Sequence, residues 1–278
     1  MQEASANHLF AVPLADGTAV EAVFYPTGTL CLSTQVGCAL GCPYCASGAR
    51  GLTRNLTAEE LWQQVAAARA RGWQPGRVTL SGIGEPLGNL TAVTAFLGTA
   101  RAQGLAVSVT TTGQPLAALS RLLRLPHNGV MVSLHAGTAA THTRVVPRGP
   151  DFEAFWDTLA AVWPRLSRAR RRKVGVNLLL VDGINDSEAE VLALAGRLAP
   201  HPEVTVHLLV PNPVPGSPFR ALPAERVQRL WAVLRARGVH ARRANPWRRQ
   251  QRGGCGTLVA TGAETGTESA EGRCVPLA

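Results

Sequence analysis

Lysine is almost missing from this chain of 278 residues: Lys173 is the only one, and arginine supplies all the other positive side chains. No run of about eighteen apolar residues occurs, which excludes a membrane-spanning helix. The opening MQEASANHLF has neither the basic nor the apolar region of a secretory signal. Both absences point to a cytoplasmic protein. No internal repeat is found, so a solenoid is excluded. The cysteines number six, but they cluster at 31–45 and near the end. In a reducing compartment that pattern favours metal binding or redox catalysis over disulfides.

The length suits one large α/β domain, and 46% hydrophobic residues allow a sizeable core. A hairpin is expected over 9–14 and 18–25, around the turn signal Asp16-Gly17. Strands are expected over 29–34, 78–80, 106–111, 130–134, 174–181, 204–210 and 239–243. Helices are expected between them. Thr57 with Glu60 makes a capping-box pattern opening one to about 71, and the others cover 91–103, 115–124, 152–166, a stretch to 199 capped by Asp186 or Ser187, and 223–237. Strand–helix alternation implies right-handed βαβ units and a parallel sheet. About six units fall short of a closed eight-fold barrel. The fold expected is therefore α/β, a partial (β/α)6 barrel over 29–259, with a β-hairpin extension over 1–28 and a poorly packed tail over 260–278. Ligands in such sheets sit at the carboxyl ends of the strands.

The net charge of +10 suits an anionic partner such as nucleic acid, although arginine-rich composition accounts for it equally. Two clusters stand out: Arg168, Arg170, Arg171, Arg172 and Lys173, and Arg242, Arg243, Arg248, Arg249 and Arg252. The first reads equally as the solvated end of a helix.

Cys38, Cys42 and Cys45 form a CxxxCxxC run. Three thiolates so close in sequence suit three corners of an iron–sulfur cubane, leaving the fourth iron open. Structural zinc wants four ligands, and Cys31, seven residues upstream in a strand, is a poor fourth. Gly37 and Gly41 permit tight turns around the thiols. Downstream, GIGEP at 82–86 follows a strand; its glycines let backbone approach a ligand, and Glu85 offers a carboxylate, or simply marks a turn. Ser133 and His135 end another strand. Asn212 lies between two prolines that stiffen a loop or merely end a strand. Cys255, in RRGGCGTL, reads as a reactive thiol on a mobile, accessible loop, or as an ordinary surface cysteine. Cys31 reads by itself as a buried core cysteine, and Glu21 as an exposed strand residue.

CLSTQVGCALGCPYCASG resembles the RlmN and Cfr family of radical S-adenosylmethionine (SAM) RNA adenine methyltransferases, as do RNLT, GIGEP, VTTTG, VSLHAG, RVVP, PNPVPG and CGTL, in that order over about 20–258. The resemblance implies a 4Fe–4S cluster on Cys38, Cys42 and Cys45, with SAM chelating the open iron. It implies SAM contacts from Gly84, Glu85, Thr110, Ser133, Leu134, His135 and Asn212. It makes Cys255 and Cys31 the catalytic pair and Glu21 the proton acceptor. The implied reaction methylates Cys255, generates a deoxyadenosyl radical from a second SAM, and couples the resulting methylene radical to adenine. Cys31 then attacks Cys255 and leaves a disulfide for an external reductant. The target implied is carbon 2 of an adenine in ribosomal or transfer RNA, with carbon 8 as the family's other site. A flavodoxin-type or other electron donor and a monomeric enzyme are also expected.

Some features depart from the pattern. The family's glutamine in CGQL is Thr257, its Ser-Thr-Ser-Gly is Thr110-Thr111-Thr112-Gly113, and the segment after Glu21 is shorter. Only about twenty residues precede Glu21, so a short member without the family's N-terminal accessory domain is expected. Cys274 matches nothing in the family. Two rival readings remain: a radical SAM enzyme acting on a peptide or small molecule, and a zinc-stabilised RNA-binding module.

Overall fold

The computed structural model describes residues 6–250 and 253–261. Arg252, Cys274 and the tail expected beyond 261 lie outside the described residues. Strands β1 (His8–Pro13) and β2 (Ala19–Tyr25) form the expected hairpin, and β2 pairs antiparallel with β3 (Thr29–Leu32). Next come β4 (Gln35–Gly37) and β5 (Leu52–Asn55), an antiparallel pair that brackets the cysteine loop. Strands this short carry no readable periodicity, so the sequence reading has no counterpart for them.

The alternating part follows: α1 (Ala58–Ala70), β6 (Arg77–Leu80), α2 (Leu90–Ala100), β7 (Ala106–Thr111), α3 (Leu116–Leu122) and β8 (Gly129–Ser133). It continues with α4 (Ala139–Val145), α5 (Phe152–Val162), α6 (Arg168–Arg171), β9 (Val174–Leu179), α7 (Glu188–Leu198), β10 (Thr205–Leu209), α8 (Ala224–Ala236) and β11 (His240–Arg243). The large sheet has the order β1-β2-β3-β6-β7-β8-β9-β10-β11, and every neighbour from β3 to β11 is parallel. The edge strand β11 thus adds a seventh parallel strand to the six of a (β/α)6 arrangement. Among the described residues no helix is long and apolar enough to cross a membrane.

Local chemistry explains the helix starts. The Thr57 side chain accepts from the Glu60 amide at 3.2 Å, and Glu60 accepts from the Thr57 amide at 2.8 Å, so the capping box forms. Ser187 rather than Asp186 caps α7; Asp186 pairs with Arg226 instead.

Strand residues alternate between two environments. Val78, Leu80, Val107, Val109, Val130, Val132, Val206 and Leu208 are buried in one core with Leu61, Phe96, Leu119, Phe155, Leu194 and Leu234 of the helices. The other face of the same strands carries Thr79, Ser108, Thr110, Ser133, Asn177 and His207, and these line cavities. A barrel closed around packed apolar side chains would have Val, Ile or Leu there. Polar groups inside keep this interior open for ligands.

Candidate active site

The loop between β4 and β5 carries the three cysteines, and glycine is required at its neck. Gly37 has φ +79°, and a Cβ on it would lie 2.0 Å from the Gly51 carbonyl oxygen. The Cys38 amide donates to that same oxygen at 2.9 Å, closing the loop. A Cβ on Gly48 would sit 2.7 Å from the Gly41 Cα. Cys38 and Cys42 are buried and Cys45 is half-buried; all three are free thiols bordering one cavity. Burial pushes the Cys38 thiol up to about 11 and the Cys42 thiol up to about 12, and ligation to a metal removes such protons. Among the described residues no three His, Cys, Asp or Glu side chains converge on a single ion. Three free thiols on a tightly wound loop that border one cavity suit three corners of a cubane.

Most of the other expected ligands meet these thiols. Gly84, Glu85, Thr110, Ser133, His135 and Asn212 border the same cavity. The Leu134 side chain does not: it is fully buried, and its carbonyl lies 2.8 Å from Nδ1 of His142. Gly84, with φ +104°, passes so close to Gln35 that a Cβ would lie 2.6 Å from the Gln35 Cβ. The buried carboxylate of Glu85 is held by four donors. Leu87 N (3.0 Å) and the Thr111 hydroxyl bind Oε1; Thr112 N (2.8 Å) and Thr112 Oγ1 (2.9 Å) bind Oε2. Burial raises its pKa, while these bonds oppose the rise. His135 has φ +60°, and its Nδ1 lies 2.9 Å from the Asn177 carbonyl and 3.0 Å from the Leu179 amide. Burial pushes its imidazole down to about 3, so the ring is neutral at physiological pH. Asn177 Oδ1 is buried at the cavity wall and has no hydrogen-bond partner among the described residues. Such an orphan acceptor, in a cavity of mixed polar and apolar lining beside three thiols, fits a ligand carrying amino or hydroxyl donors.

The chain from 245 to 261 crosses from β11 to the N-terminal hairpin and carries Cys255. Cys255 is exposed and borders the cavity of the three thiols. Its loop is packed, not loose as the neighbouring glycines suggest. A Cβ on Gly254 would lie 2.3 Å from the Gln250 oxygen and 2.7 Å from Asn212 Nδ2, and one on Gly256 would lie 2.8 Å from the Tyr44 oxygen. Asn212 Nδ2 donates to the carbonyls of both Arg248 (2.8 Å) and Cys255 (2.9 Å), and the Cys255 amide donates to Arg248 O at 3.1 Å. The Ala46 amide, inside the cysteine loop, donates to Gly256 O at 2.7 Å. The two cysteine segments are therefore fastened to each other.

Cys31 is buried on β3, 3.3 Å from the Ser81 hydroxyl. Burial pushes its thiol up to about 11, with Cys255 adding to the rise and Ser81, Arg248 and Tyr25 opposing it. Cys255 and Cys31 in turn hold the Arg248 guanidinium above its ordinary range. Cys31, Cys255, Tyr25 and Arg248 thus act on one another, and the two thiols are both free. Glu21 stands apart from the cavity lining; its Oε2 accepts from the Val259 amide at 2.7 Å. Sequence reasoning missed Thr111, Thr112, Asn177, Ser81 and Tyr25. The alternation of polar and aliphatic residues in RVTLS, AVSVTT and VGVNLL was the available signal for the inward-facing ones.

Residues 32–195 match the radical SAM superfamily. The chain is 36% identical over 281 residues to a probable dual-specificity RNA methyltransferase RlmN of Parafrankia sp. (strain EAN1pec), covering 88% of this chain and 69% of the relative. It is 32% identical to the dual-specificity RNA methyltransferase RlmN of Halorhodospira halophila, covering 93% of this chain and 74% of that one. It thus spans about two thirds to three quarters of the length of these two relatives. A radical SAM methyltransferase from Sphaerobacter thermophilus superposes with a TM-score of 0.79 at 33% identity, over 93% of this chain and 79% of that one. The wound three-cysteine loop, the polar barrel interior and these likenesses agree: this chain is a SAM-dependent, iron–sulfur enzyme that belongs to the radical SAM superfamily and, within it, to the RlmN family of RNA methyltransferases.

Proposed function

We propose that the chain methylates a ring carbon of adenine, carbon 2 ahead of carbon 8, in ribosomal or transfer RNA, through a methyl group carried by Cys255. The observation that carries this reading is the position of Cys255. Its exposed thiol borders the cofactor cavity on a loop clamped by Asn212, and it shares the neighbourhood of Tyr25 and Arg248 with Cys31. The relatives' designation as dual-specificity RNA methyltransferases supports more than one RNA target.

The cluster and SAM, when bound, would supply a methyl group, a hydrogen-abstracting radical and an acceptor for the one electron the ring gives up after coupling. Cys38, Cys42 and Cys45 hold the cluster. Gly84, Glu85, Thr110, Ser133, His135, Asn177 and Asn212 shape the space beside it for SAM. Carbon 2 of adenine is electron-poor and does not attack a methyl cation equivalent, whereas a cysteine thiolate does. Cys255 therefore takes the methyl first and carries its carbon to the ring. A base removes the ring proton; Glu21 reaches that role by leaving the Val259 amide, and Cys31 is the alternative. Attack of the Cys31 thiolate on the Cys255 sulfur forms the disulfide and breaks the carbon–sulfur bond. The bond's electron pair passes to the methylene carbon and ring, which take up one proton from the base that received the ring proton or from solvent. The methylated base then leaves. An external thiol reopens that disulfide, and a flavodoxin-type or other donor supplies electrons to the cluster. Work on RNA by a monomer in the cytoplasm completes the reading.

Mapping adenine methylation in total RNA from cells with and without the gene tests it. Loss of carbon-methylated adenine from ribosomal or transfer RNA on deletion is the expected result. An unchanged RNA profile contradicts the reading.

A further inference from the structure

Among the described residues, Cys255 borders two cavities of the barrel interior. One holds the three cluster cysteines; the other opens among the first residues of the strands, Thr29 of β3, Arg77 of β6 and Ala106 of β7. The two share Ser81, Ala244, Arg248 and Cys255. The second is about 630 Å³, within the range of small-ligand sites, ~300–1,000 Å³.

Its lining is strongly one-sided. Arg77, Arg242, Arg243 and Arg248 border it, with no aspartate or glutamate among the described residues. None of the four lies within 4.0 Å of a carboxylate among the described residues, although Arg54, Arg171, Arg197 and Arg226 elsewhere do. Like charges gathered in one cavity repel, and an anionic ligand relieves the repulsion. Exposure is graded along the cavity. Arg77, Arg242 and Arg243 are exposed at the mouth, while Arg248, Tyr25, Trp247 and His207 are half-buried further in. The hydroxyls of Thr79, Ser81 and Ser108 face the interior from consecutive strands. A ligand matching this order is anionic at one end and flat, polar and uncharged at the other.

We infer that this second cavity admits the target nucleotide. The phosphates of an unpaired RNA strand rest on Arg77, Arg242 and Arg243, and the base passes Tyr25 and Trp247 to reach Cys255 from the side opposite the cofactor. The inference rests on the RNA methyltransferase reading and adds the route and the contacts. Aromatic walls suit stacking of an unstacked base. Cys255 then stands between its two substrates, taking carbon from one cavity and delivering it into the other.

The test uses the full chain with its cluster and a short unpaired oligoribonucleotide containing one adenosine, with binding followed by fluorescence anisotropy across a range of salt. The triple variant Arg77→Ala, Arg242→Ala, Arg243→Ala is expected to lose on the order of tenfold or more in affinity. Its salt slope should fall by roughly 2, at about 0.7 per phosphate contact on a single strand. Removing the same charge from the exposed outer helices and loops, by Arg121→Ala, Arg124→Ala and Arg229→Ala, should leave the slope alone. Thermal unfolding establishes that both triples fold, and a photo-reactive adenosine in wild type should cross-link to peptides spanning 77–81 or 242–249. Equal slopes in the two triples, or cross-links confined to outer helices, overturn the inference. If the wild type binds and methylates RNA while the cavity triple does so equally well, only this route fails. If the wild type neither binds RNA nor carries a methyl on Cys255, the functional reading fails and takes the route with it.

Discussion

The two ends of the barrel are built from the same strands but hold their side chains differently. At the carboxyl end Glu85 and Asn212 are committed to hydrogen bonds, while Asn177 Oδ1 lacks a partner among the described residues and the three free thiols border the cavity. Glu85 accepts four hydrogen bonds, Asn212 ties two carbonyls, and glycines at 37, 84 and 254 sit where a Cβ would collide. At the amino end the charged groups, Arg77, Arg242, Arg243 and Arg248, are graded in exposure and meet no carboxylate within 4.0 Å among the described residues. The committed end suits a ligand that is always the same, held by fixed donors and acceptors. The uncommitted end suits a long polyanion met mainly through its charge.

The largest expected effect lies at the committed end. Cys38→Ala, Cys42→Ala or Cys45→Ala should each abolish the brown colour and the acid-labile sulfide of protein purified without oxygen, while the chain still folds. A triple variant with its full complement of iron breaks the comparison by showing that the wound loop is not the ligand. Next comes Gly254→Ala. Its methyl group would meet the Gln250 oxygen and the Asn212 amide, so the Cys255 loop must shift. Displacement of a reacting group by about 1 Å lowers turnover roughly a hundred-fold. Steady-state kinetics should show that fall with iron content unchanged; wild-type turnover would mean that the loop is as loose as its glycine content suggests.

A smaller effect concerns Cys31. Because burial lifts its thiol to about 11, the proton stays on at neutral pH, and the reactive thiolate grows as pH rises. Single-turnover release of product from a preformed adduct should therefore accelerate about tenfold per pH unit from neutrality, levelling near that value. A flat profile would place the proton's removal on a neighbouring group. The smallest effect sharpens the contrast from outside the barrel. Arg170 donates to Leu125 O at 2.6 Å and Arg171 to Trp163 O at 3.0 Å. Arg170→Ala should cost about 1–2 kcal/mol in denaturant unfolding and leave the salt slope of RNA binding unchanged.

Legibility in the sequence follows the same division. The strand–helix rhythm, the capping box at Thr57 and the cysteine run were all readable, because each is local. So were most cavity residues at the carboxyl end, through motifs that resemble a known family. What escaped depended on neighbours distant in sequence. Asn212 read as a ligand contact, yet its amide also grips Arg248 and Cys255, 36 and 43 residues away. The glycines around Cys255 read as freedom, but the Tyr44 oxygen, from a different loop, makes glycine obligatory at 256. Helix α4, between the VSLHAG and RVVP motifs, went unread. Of the two arginine clusters, equal in sequence, the first is used partly to cap carbonyls and pack on Trp163, while the described members of the second stand on and beside the cavity wall. The fold divides them only in part, since Arg168 and Arg172 of the first cluster share a surface pocket with Arg242 of the second.

The central claim is that Cys255 carries the transferred carbon and Cys31 releases it. Mass spectrometry of the Cys31→Ala variant expressed in cells tests this most directly. The expected result is a covalent RNA adduct on the peptide containing Cys255, alongside wild-type protein whose Cys255 bears one added methyl group; Cys255→Ala should give neither while keeping its cluster. An adduct that forms without Cys255, or normal turnover by Cys31→Ala, would contradict the account and leave a radical SAM enzyme working by another route.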